Sequence, residues 1–292
     1  MVLFLGLGGG SDLATCYLVA RSMKVEEASF ITVFRPLIVD NTIDIRNSVR
    51  KYTGAAYMQK DEHHAGRTEY ADFVEVQHSA HGVHFRHRRD FNTIGILLLD
   101  AGEPSEELLQ YTHELVRGLY EADCDKKLVA VDTGGDSLRD IVPGMGDRDI
   151  SHLFDGSADN RDSDALRLAA EVTGVPVTLY VVGPGSDGET SLNGLTTANR
   201  WLSTKPHPSE SSINLINRGP ISTLSRYFPF IQQWSDPSPG STIWNIVTSL
   251  EKDTQDQVPI VRRGHELEPI PAMFLQEYWV FELCKVGIKI VH

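Results

Sequence analysis

Four times along this chain a run of apolar, β-prone residues ends abruptly in a turn of glycines and acids. Val2–Leu5 runs into Gly6, Gly8, Gly9, Gly10, Ser11 and Asp12, and Ile94–Leu99 into Asp100, Gly102 and Glu103. Leu128–Val131 runs into Asp132, Gly134, Gly135 and Asp136, and Val177–Val182 into Gly183, Gly185, Asp187, Gly188 and Glu189. Apolar runs of this length bounded by turn residues read as strands buried on both faces. Each is followed by a segment that can form a helix, and strands alternating with helices predict a largely parallel sheet. The expected class is therefore α/β, three-layered and Rossmann-like, with a mostly parallel sheet and helices on both faces. Parallel strands end on one edge, and sheets of this kind bind ligands in the crevice outside it.

At 292 residues, 41% of them hydrophobic, the chain can bury a substantial core. A single α/β domain over 1–292 is expected, with residues 203–292 completing it and residues 55–90 forming a histidine-rich insertion or hairpin. The excess of 40 acidic over 27 basic side chains gives a net charge of −13, unsuited to nucleic acid or an anionic membrane. Cys16, Cys124 and Cys284 are widely spaced and odd in number, which argues against a disulfide framework and against a thiolate zinc site. No apolar run approaches the roughly 20 residues that span a bilayer. These features suggest a cytoplasmic protein; a homo-oligomer stays open.

Glycines 8, 9 and 10 ahead of Ser11 and Asp12 can present backbone N–H groups to an anion at a helix N-terminus. The same residues also suit a plain strand-to-helix turn. A dinucleotide fingerprint fits poorly, because its third glycine falls on Ser11 and the next strand, Ser29–Phe34, ends in Arg35 and Pro36 where an acid should stand. Arg35 can reach over the edge to a carboxylate or phosphate, or simply lie on the surface. The apolar run at 94–99, a helix from Pro104 to Tyr120 and the strand at 128 form a crossover unit, so Asp100 and Asp132 are expected on adjacent or near-adjacent strands. A helix is expected over Asp164–Val172. Pro184 stands where a nucleophile elbow around Ser186 needs glycine, and Cys16 has no implied base.

Six histidines, His63, His64, His78, His81, His84 and His87, lie in the irregular stretch before Ile94. The last four recur every third residue, a period that fits neither strand nor helix, so a hairpin or loop is a better expectation than a metal site. Further on, helices are expected over 222–234, 241–250 and around 271–280, and a last strand over 286–291. Trp201, Trp234, Trp244, Phe274 and Trp279 read as core.

The glycine-rich first loop with Asp12, the Val131–Asp136 turn, the Asp162–Leu166 helix entry and the Gly183–Glu189 turn resemble, in this order, the largely archaeal family known as domain of unknown function 1152. The likeness covers residues 2–200 and names no activity. A more distant similarity is to D-glutamate cyclase-like metal-dependent lyases, from which no catalytic residue carries over.

Acids crowded at one edge repel one another unless protons, arginines or a cation compensate. A hard divalent ion, Mg2+ or Mn2+, is the simplest compensation, with Asp132 and Asp136 as ligands and Asp187 and Glu189 as further ligands or the general base. Gly8, Gly9, Gly10, Ser11, Asp12, Arg35, Gly134, Gly135 and Gly185 would then bind the ligand. The expected function is a metal-dependent lyase, cyclase or hydrolase acting on a small anionic metabolite. The alternatives are a non-catalytic nucleotide or metabolite-binding protein using the same crevice, and an interaction scaffold working through the histidine-rich stretch. Taken singly, each acid also reads as a helix cap or turn former.

Overall fold

The computed structural model describes residues 2–7, 10–25, 28–34, 37–39, 42–44, 73–79, 82–87, 93–98, 128–139, 142, 144–145, 166, 177–204, 213–225, 242–262 and 264–283. The principal strands are β1 (Val2–Gly6), β2 (Ala28–Phe34), β5 (Phe73–Ser79), β6 (Gly82–His87), β7 (Thr93–Leu98), β8 (Leu128–Thr133), β9 (Val177–Val182), β10 (Ile213–Pro220) and β13 (Glu277–Leu283). They form one sheet in the order β10-β13-β9-β8-β1-β2-β7-β6-β5. Two small antiparallel pairs stand apart from it, β3 (Leu37–Val39) with β4 (Thr42–Asp44) and β11 (Gln257–Arg262) with β12 (His265–Pro271). Helices α1 (Gly10–Ser22), α2 (Leu192–Thr204), α3 (Ser222–Ser225), α4 (Thr242–Ser249) and α5 (Ala272–Leu275) complete the described elements.

The class is α/β and the sheet is mixed. Its five central strands, β9, β8, β1, β2 and β7, run parallel. The outer strands pair antiparallel, β13 and β10 at one end and β6 and β5 at the other. The expected predominance of parallel pairing therefore holds for the centre alone. The reason lies in the connections: β5 and β6 are separated by two residues, and so short a link joins antiparallel strands only.

β1 lies between β8 and β2, so the chain leaves it toward one side and later returns on the other. This reversal places a topological switch point between β1 and β8, the position outside the strand ends at which open α/β sheets bind ligands. It also corrects the position expected for Asp100 and Asp132. Strands β7 and β8 are separated by both β1 and β2, on the order of 14 Å at ordinary strand spacing. Asp100 itself lies outside the described residues.

Leu3 and Leu5 of β1 and Leu7 just after it pack in one cluster with Leu128, Ala130, Leu179, Val181, Trp279 and Phe281, together with Leu195 and Ala198 of α2 and Ile260 and Ile270 of the β11–β12 hairpin. Phe4 and Val129, of opposite parity, are equally buried outside that cluster, and α1 packs on β1, β2 and β8. Both faces of β1 and β8 are covered, which is why these two strands read as continuous apolar runs. Trp279 and Phe274 meet edge to face in this core, as expected of aromatic core residues.

The helix expected around 271–280 is confined to Ala272–Leu275, after which the chain becomes β13. Tyr278, Trp279, Val280 and Phe281 are aromatic or β-branched, suit a strand, and pair with β9. Helices expected over 104–120 and 164–172 and the strand over 286–291 fall outside the described residues, except that Leu166 is helical and buried. His78, His84 and His87 lie on the β5–β6 hairpin, with Gln77 opposite His84 and Phe73 opposite His87. His63, His64 and His81 lie outside the described residues.

Candidate functional site

β8 and β9 are neighbours, and their two following turns are built into each other. After Thr133, Gly134 and Gly135 take positive φ angles of 127° and 95°, and the chain enters a 3-10 turn over Asp136–Leu138. Asp132 holds this turn: its carboxylate accepts hydrogen bonds from the Gly135 N–H (3.0 Å), the Ser137 N–H (3.0 Å) and the Ser137 hydroxyl. The Gly134 N–H donates to Val182 O at 3.1 Å, and the Gly185 N–H donates back to Gly134 O at 2.5 Å. A Cβ on Gly134 would collide with the Asp187 carboxylate, so the glycine is what admits that acid to the space beside β8.

The first loop joins the same place. Asp12, in the first turn of α1, accepts a hydrogen bond from the Thr133 N–H at 2.7 Å, and Thr15 and Thr133 are hydroxyl-bonded at 2.8 Å. The Leu7 N–H donates to Val131 O at 3.0 Å. Turns more than a hundred residues apart in sequence thus meet at the ends of β1, β8 and β9.

Asp136, Asp187 and Glu189 each present an oxygen within 4.8 Å of the other two. Asp187 is 5% exposed; one of its oxygens accepts the Glu189 N–H at 3.0 Å, and Oδ2 is buried with no hydrogen-bond partner among the described residues. Burial pushes the Asp187 carboxyl up to about 7, reinforced by the charges of Glu189 and Asp132 and opposed by Arg262. Burial also raises Asp132, against the hydrogen bonds from Ser137 and Gly135 and the charge of Arg139.

Two arginines lace the cluster. Arg139 pairs with Asp136 at 3.1 Å and with Glu189 Oε2 at 3.2 Å. Arg262, the last residue of β11, pairs with Glu189 Oε1 and donates to Asp187 O at 2.9 Å. Asn245 of α4 sets the position of that strand end: it bonds both the N–H and the C=O of Val261 (3.2 and 3.0 Å) and donates to Ser186 O at 2.8 Å. Against Asp132, Asp136, Asp187 and Glu189, the two guanidinium groups leave two negative charges when all four acids are ionised.

The structure thus brings Asp12, Asp132, Gly134, Gly135, Asp136, Asp187 and Glu189 together. Asp132, expected as a metal ligand, stands outside the three-acid cluster and spends its oxygens on the turn that carries Asp136. Gly185 faces the core, where a Cβ would lie 2.6 Å from Leu195 and 2.7 Å from Ile270, so its role is close packing and the bond to Gly134. Gly10 and Ser11 open α1, whereas Gly8, Gly9 and Arg35 lie outside the described residues. Cys16 is fully buried, and burial and the nearby Asp12 push its thiol well up, so it is no nucleophile. Ser186 is fully buried as well.

Arg139, Arg262 and Asn245 were not singled out from sequence. Arg139 carried a signal, three residues after Asp136 in a helical turn. Arg262 and Asn245 carried none, since only the hairpin and α4 bring them to β9. No described helix is long and apolar enough to cross a membrane. No family model, curated protein or solved structure matches the chain.

Proposed function

We propose that the protein is a metal-dependent enzyme acting on a small anionic metabolite, by lyase, cyclase or hydrolase chemistry, in the crevice outside β1, β8 and β9 of a Rossmann-like, three-layered domain. The carrying observation is the Asp136–Asp187–Glu189 cluster, in which one carboxylate oxygen of Asp187 is buried without a described partner. A buried carboxylate forgoes several kcal/mol of hydration unless a proton or a cation replaces the water. Oxygen-only ligands, with three carboxylates against two guanidinium groups, suit a hard divalent ion, Mg2+ or Mn2+.

In this reading Asp136 and Asp187 would hold the ion, with Glu189 as a further ligand or the proton acceptor, and Asp132 and Ser137 fix the turn that aims Asp136. Held there, a divalent ion would polarise a substrate oxygen or lower the pKa of a water. Glu189, where it is not engaged as a ligand, receives the proton. The first-loop residues Gly8, Gly9, Gly10 and Ser11 are assigned to the ligand's negative charge on their sequence pattern alone.

The test is a screen of carboxylic acids, sugar phosphates and nucleotides with and without Mn2+, reading both binding and turnover. The expected result is Mn2+-dependent conversion of an anionic compound, reduced at least a hundredfold in Asp187→Asn. Mn2+-dependent binding without conversion of any compound would assign the crevice to a metabolite sensor. Equal behaviour with and without metal would overturn the proposal.

A further inference from the structure

Glu189 is held in an unusual way for a turn residue. Each of its two carboxylate oxygens faces a different guanidinium, Oε2 that of Arg139 and Oε1 that of Arg262. Each arginine also has an anchor that does not involve Glu189: Arg139 is paired with Asp136, and Arg262 donates to the carbonyl of Asp187. The two guanidinium groups would therefore keep their places if the Glu189 carboxylate left. Their side chains are 9% and 19% exposed and that of Glu189 is 21% exposed, so the trio lies under the surface with one side open to solvent. Two preorganised guanidinium groups facing one point form a receptor for a planar carboxylate or a tetrahedral phosphate.

We infer that Arg139 and Arg262 are the anion-recognition pair of the crevice, and that Glu189 is an internal anion occupying their site until the carboxylate or phosphate of a ligand replaces it. The inference deepens the proposed function and rests on its reading of the crevice as the seat of a small anionic metabolite; it adds the residues that grip the anion. Displacement of Glu189 also frees its carboxylate to turn toward the cation held by Asp136 and Asp187, so ligand binding and completion of the metal centre become one event. No bond is made or broken in the exchange; one carboxylate leaves the arginines and another anion arrives.

The experiment titrates inorganic phosphate and, separately, acetate into the full-length protein by calorimetry in the presence of EDTA, at constant ionic strength. Glu189→Gln removes the internal competitor's charge and is expected to bind at least one of the two anions ten times more tightly than the wild type. Adding Arg262→Gln to that variant is expected to abolish the gain, and the anion that responds distinguishes a phosphate-bearing ligand from a carboxylic acid. Glu189→Ala provides a second route, because acetate should raise its melting temperature more than equal chloride does. If neither anion binds Glu189→Gln more tightly and acetate has no effect on Glu189→Ala, the inference is overturned. Because EDTA excludes the metal, that failure leaves Mn2+ binding by the wild type to be judged separately.

Discussion

At the scale of single residues the account turns on Asp187 and the glycine that makes room for it. A side chain at Gly134 would both occupy the space of the Asp187 carboxylate and sit at a φ of 127°, where L-residues are strained. Gly134→Ala is expected to cost on the order of 2–4 kcal/mol in urea denaturation and to weaken Mn2+ binding as Asp187 moves away. Asp187 also predicts a pH dependence. Its folded pKa, about 7, lies above the ordinary carboxyl value, so the folded state binds more protons than the unfolded state between them. Its contribution favours the fold fully below about pH 4 and is lost as pH rises to about 7, with Asp132 acting in the same sense. Metal-free protein should accordingly be less stable at pH 8 than at pH 5 in chemical denaturation, and Asp187→Asn should remove much of that slope. A wild-type slope of opposite sign, unchanged in the variant, would remove Asp187 from its assigned place. Excess Mn2+ is expected to recover the loss at pH 8, because a ligand that binds only the folded state stabilises it.

At the scale of elements, what matters is how turns are tied together. Ser137 donates twice to Asp132 and thereby fixes the 3-10 turn that bears Asp136. Ser137→Ala deletes one of these donors from a fully buried carboxylate, and a loss of about 1–3 kcal/mol is expected on denaturation, with weaker Mn2+ binding because Asp136 loosens. Stability and Mn2+ affinity both equal to wild type would show that Asp132 does not organise the turn. These ties also explain which elements were legible in the sequence. β1, β2, β7, β8 and β9 announced themselves because central parallel strands are apolar on both faces, and the acids after β8 and β9 were visible as turn punctuation. The strands β10, β11 and β12 were not foreseen. β11 alternates exposed and buried residues over Gln257–Ile260 and contains Pro259, and β12 contains Pro269 and mostly exposed side chains, so neither presents an apolar run. With β11 went Arg262. Asp132 was legible as a site residue although its task was misjudged: position at a strand end does not reveal whether a carboxylate faces a ligand or its own turn.

At the scale of the molecule, the switch point between β1 and β8 and the joined turns of β8 and β9 put the candidate site on the sheet edge where the repeated strand–turn pattern placed it. Three of the four such turns have described residues there, and β7, which precedes the fourth, is separated from β1 by one strand and from β8 by two. That separation was illegible because strand order depends on long-range pairing, which local sequence does not encode. The core that holds this edge centres on Trp279, and Trp279→Ala is expected to cost about 3–5 kcal/mol and to weaken metal binding only through global unfolding.

The most direct measurement is Mn2+ titration by calorimetry at pH 7.5 on wild-type protein beside Asp136→Asn and Asp187→Asn, each checked for folding by circular dichroism. The account predicts one ion bound per wild-type chain, with affinity reduced at least tenfold in either folded variant. A wild type that binds no ion, or folded variants that bind it as tightly as the wild type, would contradict it.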